Sequence, residues 1–215
     1  MIDRTGFILA NTRLLAPPLV PEIRLHLAEE SLPIWRKTEE ELGEMGLPPP
    51  YWAFTWAGGQ ALARYLLDNA VTVAGKSVID IGAGSGIAAI AAAKAGARHV
   101  CAADIDALAV AAMGLNAAAN DVALAATTDD WLSIDAPQGE IVLVGDLFYE
   151  RPLAERVMDF VWQKARAGSV VLVGDPRRSY FPTDTFEAIA HYEVPVTREL
   201  EDAEIKRAAV WRLRD

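Results

Sequence analysis

From about residue 60 onward, the hydrophobic positions of this 215-residue chain switch repeatedly between two periods. In "GGQALARYLLDNA" Leu62, Tyr65 and Leu66 fall at helical spacing. "SVIDIG" is then a short apolar run ending in glycine, the pattern of a buried strand, and "GIAAIAAAKAGA" predicts an alanine-rich helix closed by Gly96. The cycle repeats with "HVCAAD" as strand and "ALAVAAMGLNAAAND" as helix. "EIVLVGDLFY" and "SVVLVGDP" are two further strands, separated by the helical "RPLAERVMDFVWQKARAG". Strands alternating with helices predict an α/β chain built on a parallel sheet.

The end of the chain departs from that rhythm. "DTFEAIAHY" carries helical spacing, and "EVPVTREL" and "IKRAAVWRLR" are strand candidates too close together for a helix to lie between them. They predict a hairpin, which places an antiparallel strand in an otherwise parallel Rossmann-like sheet. The first fifty residues have another character. "EIRLHLA" alternates like a strand, "LPIWRKTEEELGEMG" has helical spacing, and "LPPPYWAFTW" is a stiff aromatic segment. Residues 1–50 are therefore expected to form an N-terminal extension or cap over the C-terminal edge of the sheet, with the main domain over 51–215.

Composition narrows the chemistry. The formal net charge is −10, which argues against a binder of phosphate backbones, so no nucleic-acid partner is expected. Cys101 is the single cysteine, so an intrachain disulfide and a cysteine-based metal cluster are both excluded; it reads as a small buried side chain. His26, His99 and His191 show no ligand spacing, so no metal is expected. No run of about 20 apolar residues suggests a membrane span. The N-terminal residues resemble neither a secretory signal nor a transit peptide, and a reducing cytoplasm is the expected compartment.

"DIGAGSG" puts Gly82, Gly84 and Gly86 at a strand-to-helix turn, where backbone and helix N-terminus can approach a ligand closely. Dinucleotide-binding dehydrogenases space these glycines as G-x-G-x-x-G; here the spacing is G-x-G-x-G, with Asp80 two residues ahead. A pyrophosphate would repel that carboxylate, whereas the ammonium of S-adenosylmethionine would favour it, directly or through water; otherwise Asp80 is a capping residue. In "ADIDALAV", Asp104 stands where an acid accepts from both ribose hydroxyls, Asp106 is placed to cap the next helix, and Ile105 is set against the adenine face. "TTDDWLS" offers Asp129 or Asp130 to the adenine amino group, with Trp131 beside it. S-adenosylmethionine is the expected cofactor.

The strand "EIVLVG" runs into "DLFYE". Methyltransferases of nucleobase or glutamine amides carry an [DN]-P-P-[YF] sequence here; this chain has carboxylates and aromatic rings instead. That set suits a lysine amine, whose ordinary pKa is about 10.4. An acid binds the arriving ammonium, aromatic walls hold and desolvate it, and positioning supplies most of the catalysis. Asp146 or Glu150 is the closer carboxylate, and both are also placed to cap the following helix.

Together, "PYWAFTWAGGQALARYLLDN", "GKSVIDIGAGSGIAAIAAAKAGA", "ADIDALAVAAMGLNAAAN", "GDLFYE" and "VGDPRRSYFP" resemble the electron-transfer flavoprotein β-subunit lysine methyltransferases, which belong to the seven-β-strand, family 16-type protein lysine methyltransferases. The resemblance runs from about Pro50 to Pro182 in the same order. It implies the class I methyltransferase fold, with Trp56, Gly58 and Gly59 near the methionine end of S-adenosylmethionine. Asp146, Phe148 and Tyr149 become the floor of a lysine channel, and the flavoprotein β subunit the protein substrate. Ala57 stands where the family's animal members are expected to carry proline. Two alternatives compete. An enzyme of the ribosomal protein L11 type shares the glycine loop, but would carry an asparagine-led sequence in place of "GDLFYE". A non-catalytic binding protein of the same fold would bind cofactor without transferring methyl.

Overall fold

The computed structural model describes residues 3–28, 49–196 and 204–214. At the N-terminus, α1 (Arg4–Asn11) leads into a two-stranded antiparallel pair, β1 (Arg13–Leu15) and β2 (Leu25–Leu27). The helix α2 (Ala57–Asp68) follows. Then come β3 (Ser77–Ile81), α3 (Ile87–Lys94), β4 (His99–Ala103), α4 (Ala107–Ala119), β5 (Ala125–Thr127), β6 (Ile141–Gly145), α5 (Arg151–Arg166) and β7 (Val170–Asp175). The last two strands are β8 (Phe186–Pro195) and β9 (Ile205–Leu213).

The seven strands from β3 onward form one sheet in the order 5-4-3-6-7-9-8. Strands β3 to β7 are parallel, and β9 runs antiparallel to both β7 and β8. The chain enters this sheet at β3, steps outward through β4 and β5, and returns to β6 on the other side of β3. That reversal opens a crevice at the C-terminal ends of β3 and β6, where open α/β sheets bind their ligands. Both faces of the central strands are covered, which is why their sequences are nearly continuous apolar runs. Along β6, Ile141 and Leu143 pack toward Leu62, Leu66 and Ile90, whereas Val142 and Val144 pack toward Val157, Phe160 and Phe186 on the opposite face.

Two expectations need correction. Residues 186–195 are a strand rather than a helix. Ala188 opposes Trp211 and Ala190 opposes Val210, so Ile189 is an extra residue in the ladder. The bulge reverses which way the following residues face, so that Phe186 packs on one side of the sheet and Ile189, Ala190 and Val194 on the other. Phe186, Ile189, Ala190 and Val194 consequently fall at i, i+3, i+4 and i+8 and imitate a helix. The hairpin and the antiparallel strand are present as expected. Cys101 is half-buried rather than buried, with Sγ 3.3 Å from His99 Nε2.

The strand expected in "EIRLHLA" is β2. The helix expected in "LPIWRKTEEELGEMG" lies outside the described residues. Residues 20–27 flank the helical layer, and residues 29–48 of the expected cap lie outside the described residues. Val20, Ile23, Leu25 and Leu27 share a core with Leu62 and Ile90, and Asn116 and Asn120 of α4 accept from the backbone amides of His26 and Arg24 at 2.7 and 2.9 Å. Among the described residues, no helix is long and apolar enough to cross a membrane.

Helix α2 lies unusually close to β7 because glycines meet there. A Cβ on Gly58 would come within 2.2 Å of the Gly174 carbonyl oxygen, and a Cβ on Gly174 within 2.1 Å of the Gly58 carbonyl oxygen. Backbone cannot yield as a side chain does, so Gly58→Ala is expected to cost at least about 3 kcal/mol, the upper range for overpacked sites. Chemical denaturation of the variant checks this.

Candidate active site

The crevice at the sheet's reversal holds a cavity of about 430 Å³, within the size range of small-molecule sites, about 300–1,000 Å³. Its walls come from the ends of β3, β4 and β6, from the segment after β5, and from the aromatic residues 51–56. Gly82 and Gly84 turn the chain away from β3 with φ of 57° and 52°, a conformation that suits glycine, and this brings their backbone to the cavity wall.

Asp104, just past β4, shapes that loop. Its Oδ2 accepts from Gly84 N at 2.8 Å and its Oδ1 from Asp106 N at 2.9 Å. Each carboxylate oxygen has two lone pairs, so acceptor capacity remains for a diol. Burial pushes its pKa up, while the two amides pull it back. Asp106 accepts from Leu108 N at 2.8 Å and is the cap of α4. Ile105 lies in the wall with 75% of its surface exposed, and Trp131 stands in the same wall, nearly buried. Asp129 and Asp130 are both there; Asp130 is tied to Arg156 at 2.6 Å and to Ser133 at 2.7 Å. Trp52 also lines the cavity, and its buried Nε1 has no hydrogen-bond partner among the described residues.

Asp80 sits elsewhere. It faces α3 from the middle of the sheet, fully buried, and accepts from Ala89 N at 3.1 Å. This is the capping geometry, and Asp80 is not among the residues that line the cavity. Burial drives its pKa up to about 8, against the pull of the Ala89 amide. An unfolded aspartate titrates near 3.9. Between about pH 4 and pH 8, native Asp80 therefore keeps a proton that the unfolded chain has released, and it lowers native stability as pH rises through that window. Asp80→Asn is expected to flatten the change in melting temperature between about pH 5 and about pH 8.

The second half of the site is an ion pair. Asp146, immediately after β6, has φ of 55° and is buried. Its Oδ2 accepts from Gly59 N at 2.7 Å. Its Oδ1 accepts from both Arg178 Nε and Nη2, at 3.0 and 2.7 Å. Arg178 follows β7, and its guanidinium carbon lies 5.3 Å from the centre of the Trp56 ring. Asp175 Oδ1 accepts from Arg178 N at 2.7 Å. Burial, then the charge of Asp146, raises the Asp175 pKa to about 7. Asp146 and Arg177 (φ 65°) are non-glycine residues in the left-handed region. Such strain gathers at working sites.

Several expected site residues thus take other places. Phe148 is fully buried in a cluster with Phe181 and Phe186 on the far face of the sheet, not on a channel floor. Glu150 is exposed at the start of α5 and is not among the residues that line the cavity. Gly58 packs on β7, and Gly59 contributes its amide to Asp146 rather than to the wall. Gly86 begins α3, behind the wall. Asp146, Tyr149 and Trp56 do line the cavity. Tyr51 packs edge-on or tilted against both rings, its centroid 6.0 Å from that of Trp56 and 5.9 Å from that of Tyr149. The pattern missed Arg178, which reads as solvated charge in "DPRRSY"; its position just past a parallel strand next to β6 was the available signal.

A family model described as ribosomal protein L11 methyltransferase (PrmA) matches residues 61–145. That span holds the glycine loop and Asp104 but stops short of Asp146. Among solved structures, magnesium protoporphyrin IX methyltransferase from Synechocystis PCC 6803, with bound S-adenosylmethionine, shares the fold at TM-score 0.54 and 17% identity, over 73% of this chain and 80% of that one. Curated relatives extend much further. The electron transfer flavoprotein beta subunit lysine methyltransferase of Danio rerio is 36% identical over 98% of this chain and 83% of its own length. That of Xenopus laevis is 37% identical over 96% and 85%. These matches include the segment around Asp146 and Arg178 as well as the glycine loop, and on them the chain belongs to the electron transfer flavoprotein beta subunit lysine methyltransferase family.

Proposed function

We propose that this chain transfers methyl groups from S-adenosylmethionine to lysine side chains of the electron-transfer flavoprotein β subunit. The observation that carries this reading is the 36% identity over 98% of the chain to a methyltransferase named for that substrate. The family model for the L11 enzymes matches residues 61–145, the cofactor-binding half, whereas the flavoprotein methyltransferase matches along 98% of the chain, which favours the flavoprotein over a ribosomal target. The cytoplasm is the proposed compartment, supported by a single cysteine and a soluble composition. A net charge of −10 suits a lysine-bearing protein partner better than nucleic acid.

The cavity fits the cofactor. Asp104 offers lone pairs to a ribose diol, Ile105 and Trp131 offer apolar faces to adenine, and Trp52 in the same wall has a buried donor without a partner among the described residues. When bound, S-adenosylmethionine supplies a methyl group on sulfonium sulfur, open to in-line attack by a neutral amine. The chain's own part is positional. Asp146 attracts and orients the ε-ammonium, the rings of Tyr51, Trp56 and Tyr149 hold its stem and limit water, and the proton leaves to solvent before attack.

The test is an intact-mass measurement. Unmethylated flavoprotein is mixed with this protein and S-adenosylmethionine, and each subunit is weighed. Methyl-sized increments confined to the β subunit are expected. No increment there, with increments on ribosomal protein L11 in a parallel reaction, would transfer the assignment to the other substrate.

A further inference from the structure

We propose that Arg178 is an internal occupant of the acceptor site: its guanidinium holds the place of the substrate's lysine ammonium, and the arriving lysine displaces it. This rests on the proposed methyl transfer to lysine and deepens it.

The geometry around Arg178 is that of a cation-recognition site. Its Nε and Nη2 donate to Asp146 Oδ1 at 3.0 and 2.7 Å, while its guanidinium carbon lies 5.3 Å from the Trp56 ring centre. A carboxylate on one side and an aromatic face on the other are what an alkylammonium requires. The same cavity wall includes Tyr51 and Tyr149, whose rings extend the aromatic surface outward. The Asp146 side chain is only 9% exposed. Arg178 takes both lone pairs of Oδ1 and Gly59 N takes one of Oδ2, so a substrate lysine meets this carboxylate with its charge already paired.

Exchange is easier than vacancy. Leaving the nearly buried Asp146 without a cation is costly, so one positive group leaves as another arrives. The turn that carries Arg178 need not move. Asp175 fixes its backbone amide at 2.7 Å, and neighbouring Arg177 is braced with its guanidinium carbon 5.4 Å from the Trp211 ring centre. Only the Arg178 side chain has to swing. Small amines meet an occupied site, whereas a docked protein brings enough binding energy to complete the swap. Arg178 thus favours lysines presented by a partner surface over free amines.

Arg178→Lys tests the placement directly, because it puts an amine on the tethered stem. The variant is incubated with S-adenosylmethionine and no protein substrate, then mapped by peptide mass. Expected is methyl mass at position 178, formed at a rate per molecule independent of enzyme concentration. In that step the neutral amine forms the N–C bond, the C–S electron pair stays on sulfur, and the amine's proton goes to water. Absence of methyl at position 178, while the wild type methylates the flavoprotein β subunit in parallel, overturns the proposal and leaves the function intact. Methyl at position 178 with a wild type inactive on that subunit supports the acceptor site and removes the substrate assignment. A binding measurement is independent of turnover. The Trp56 indole NMR signal of Arg178→Gln is followed on titration with n-butylammonium. Affinity about tenfold above the wild type's is expected, and equal affinity overturns the proposal.

Discussion

Asp146→Asn is expected to leave the protein folded and able to bind cofactor while slowing methyl transfer at least about a hundredfold, the scale of a misplaced reactant. Asparagine keeps an oxygen for Gly59 N, which now sits 2.7 Å from Oδ2, so the contact between α2 and β6 survives. What disappears is the charge that collects a cation between the end of β6 and Trp56. Arg178 loses its partner, and an incoming ammonium loses its reason to enter. Methyl incorporation against substrate concentration, alongside calorimetric cofactor binding, separates these effects. Glu150→Gln is the matching control, because Glu150 is exposed and does not line the cavity. It should change the rate by less than about twofold, as surface substitutions do. The opposite ranking of the two variants would make Glu150 the carboxylate that meets the amine.

The same pair of residues shows how far the sequence could be read. "DLFYE" looks like one chemical unit, yet its side chains part company. Asp146 adopts a left-handed turn that aims it at α2, Phe148 dives into the aromatic cluster on the other face, and Tyr149 returns to the cavity. Residue type suggested the unit; only the turn after β6 decides which members face the ligand. Arg178 was illegible for a different reason. Its partner is 32 positions away, and their meeting depends on β6 and β7 being parallel neighbours. By contrast, Asp104 needed little tertiary information. It ends an apolar strand one cycle after the glycine loop, and β4 lies directly beside β3. Local pattern also carried the alternation of strands and helices, failing where an extra ladder residue, Ile189, turned a strand's period into a helix's. Asp80 was ambiguous by nature. A carboxylate at that spacing can meet a ligand or a helix N-terminus, and here it meets the N-terminus of α3 from a buried position.

Asp104→Ala should give the largest loss of cofactor affinity. Two functions are joined in that carboxylate. It satisfies the amides of Gly84 and Asp106, holding the glycine loop against the end of β4. Its remaining lone pairs are the acceptors proposed for the ribose hydroxyls. Alanine removes both, leaving two amides without their acceptor and a diol without its partner. Hydrogen bonds to a charged group contribute about 1.5–3 kcal/mol each. Loss of one such ligand contact therefore weakens binding by about 10- to 150-fold, and loosening of the loop adds to it. Calorimetric titration with S-adenosylmethionine measures the affinity. Turnover at saturating cofactor should recover much of the wild-type rate, because the acceptor side at Asp146 and Trp56 is untouched. Unchanged affinity would mean that Asp104 serves the loop alone, and the ribose would then have to be assigned to another part of the cavity wall.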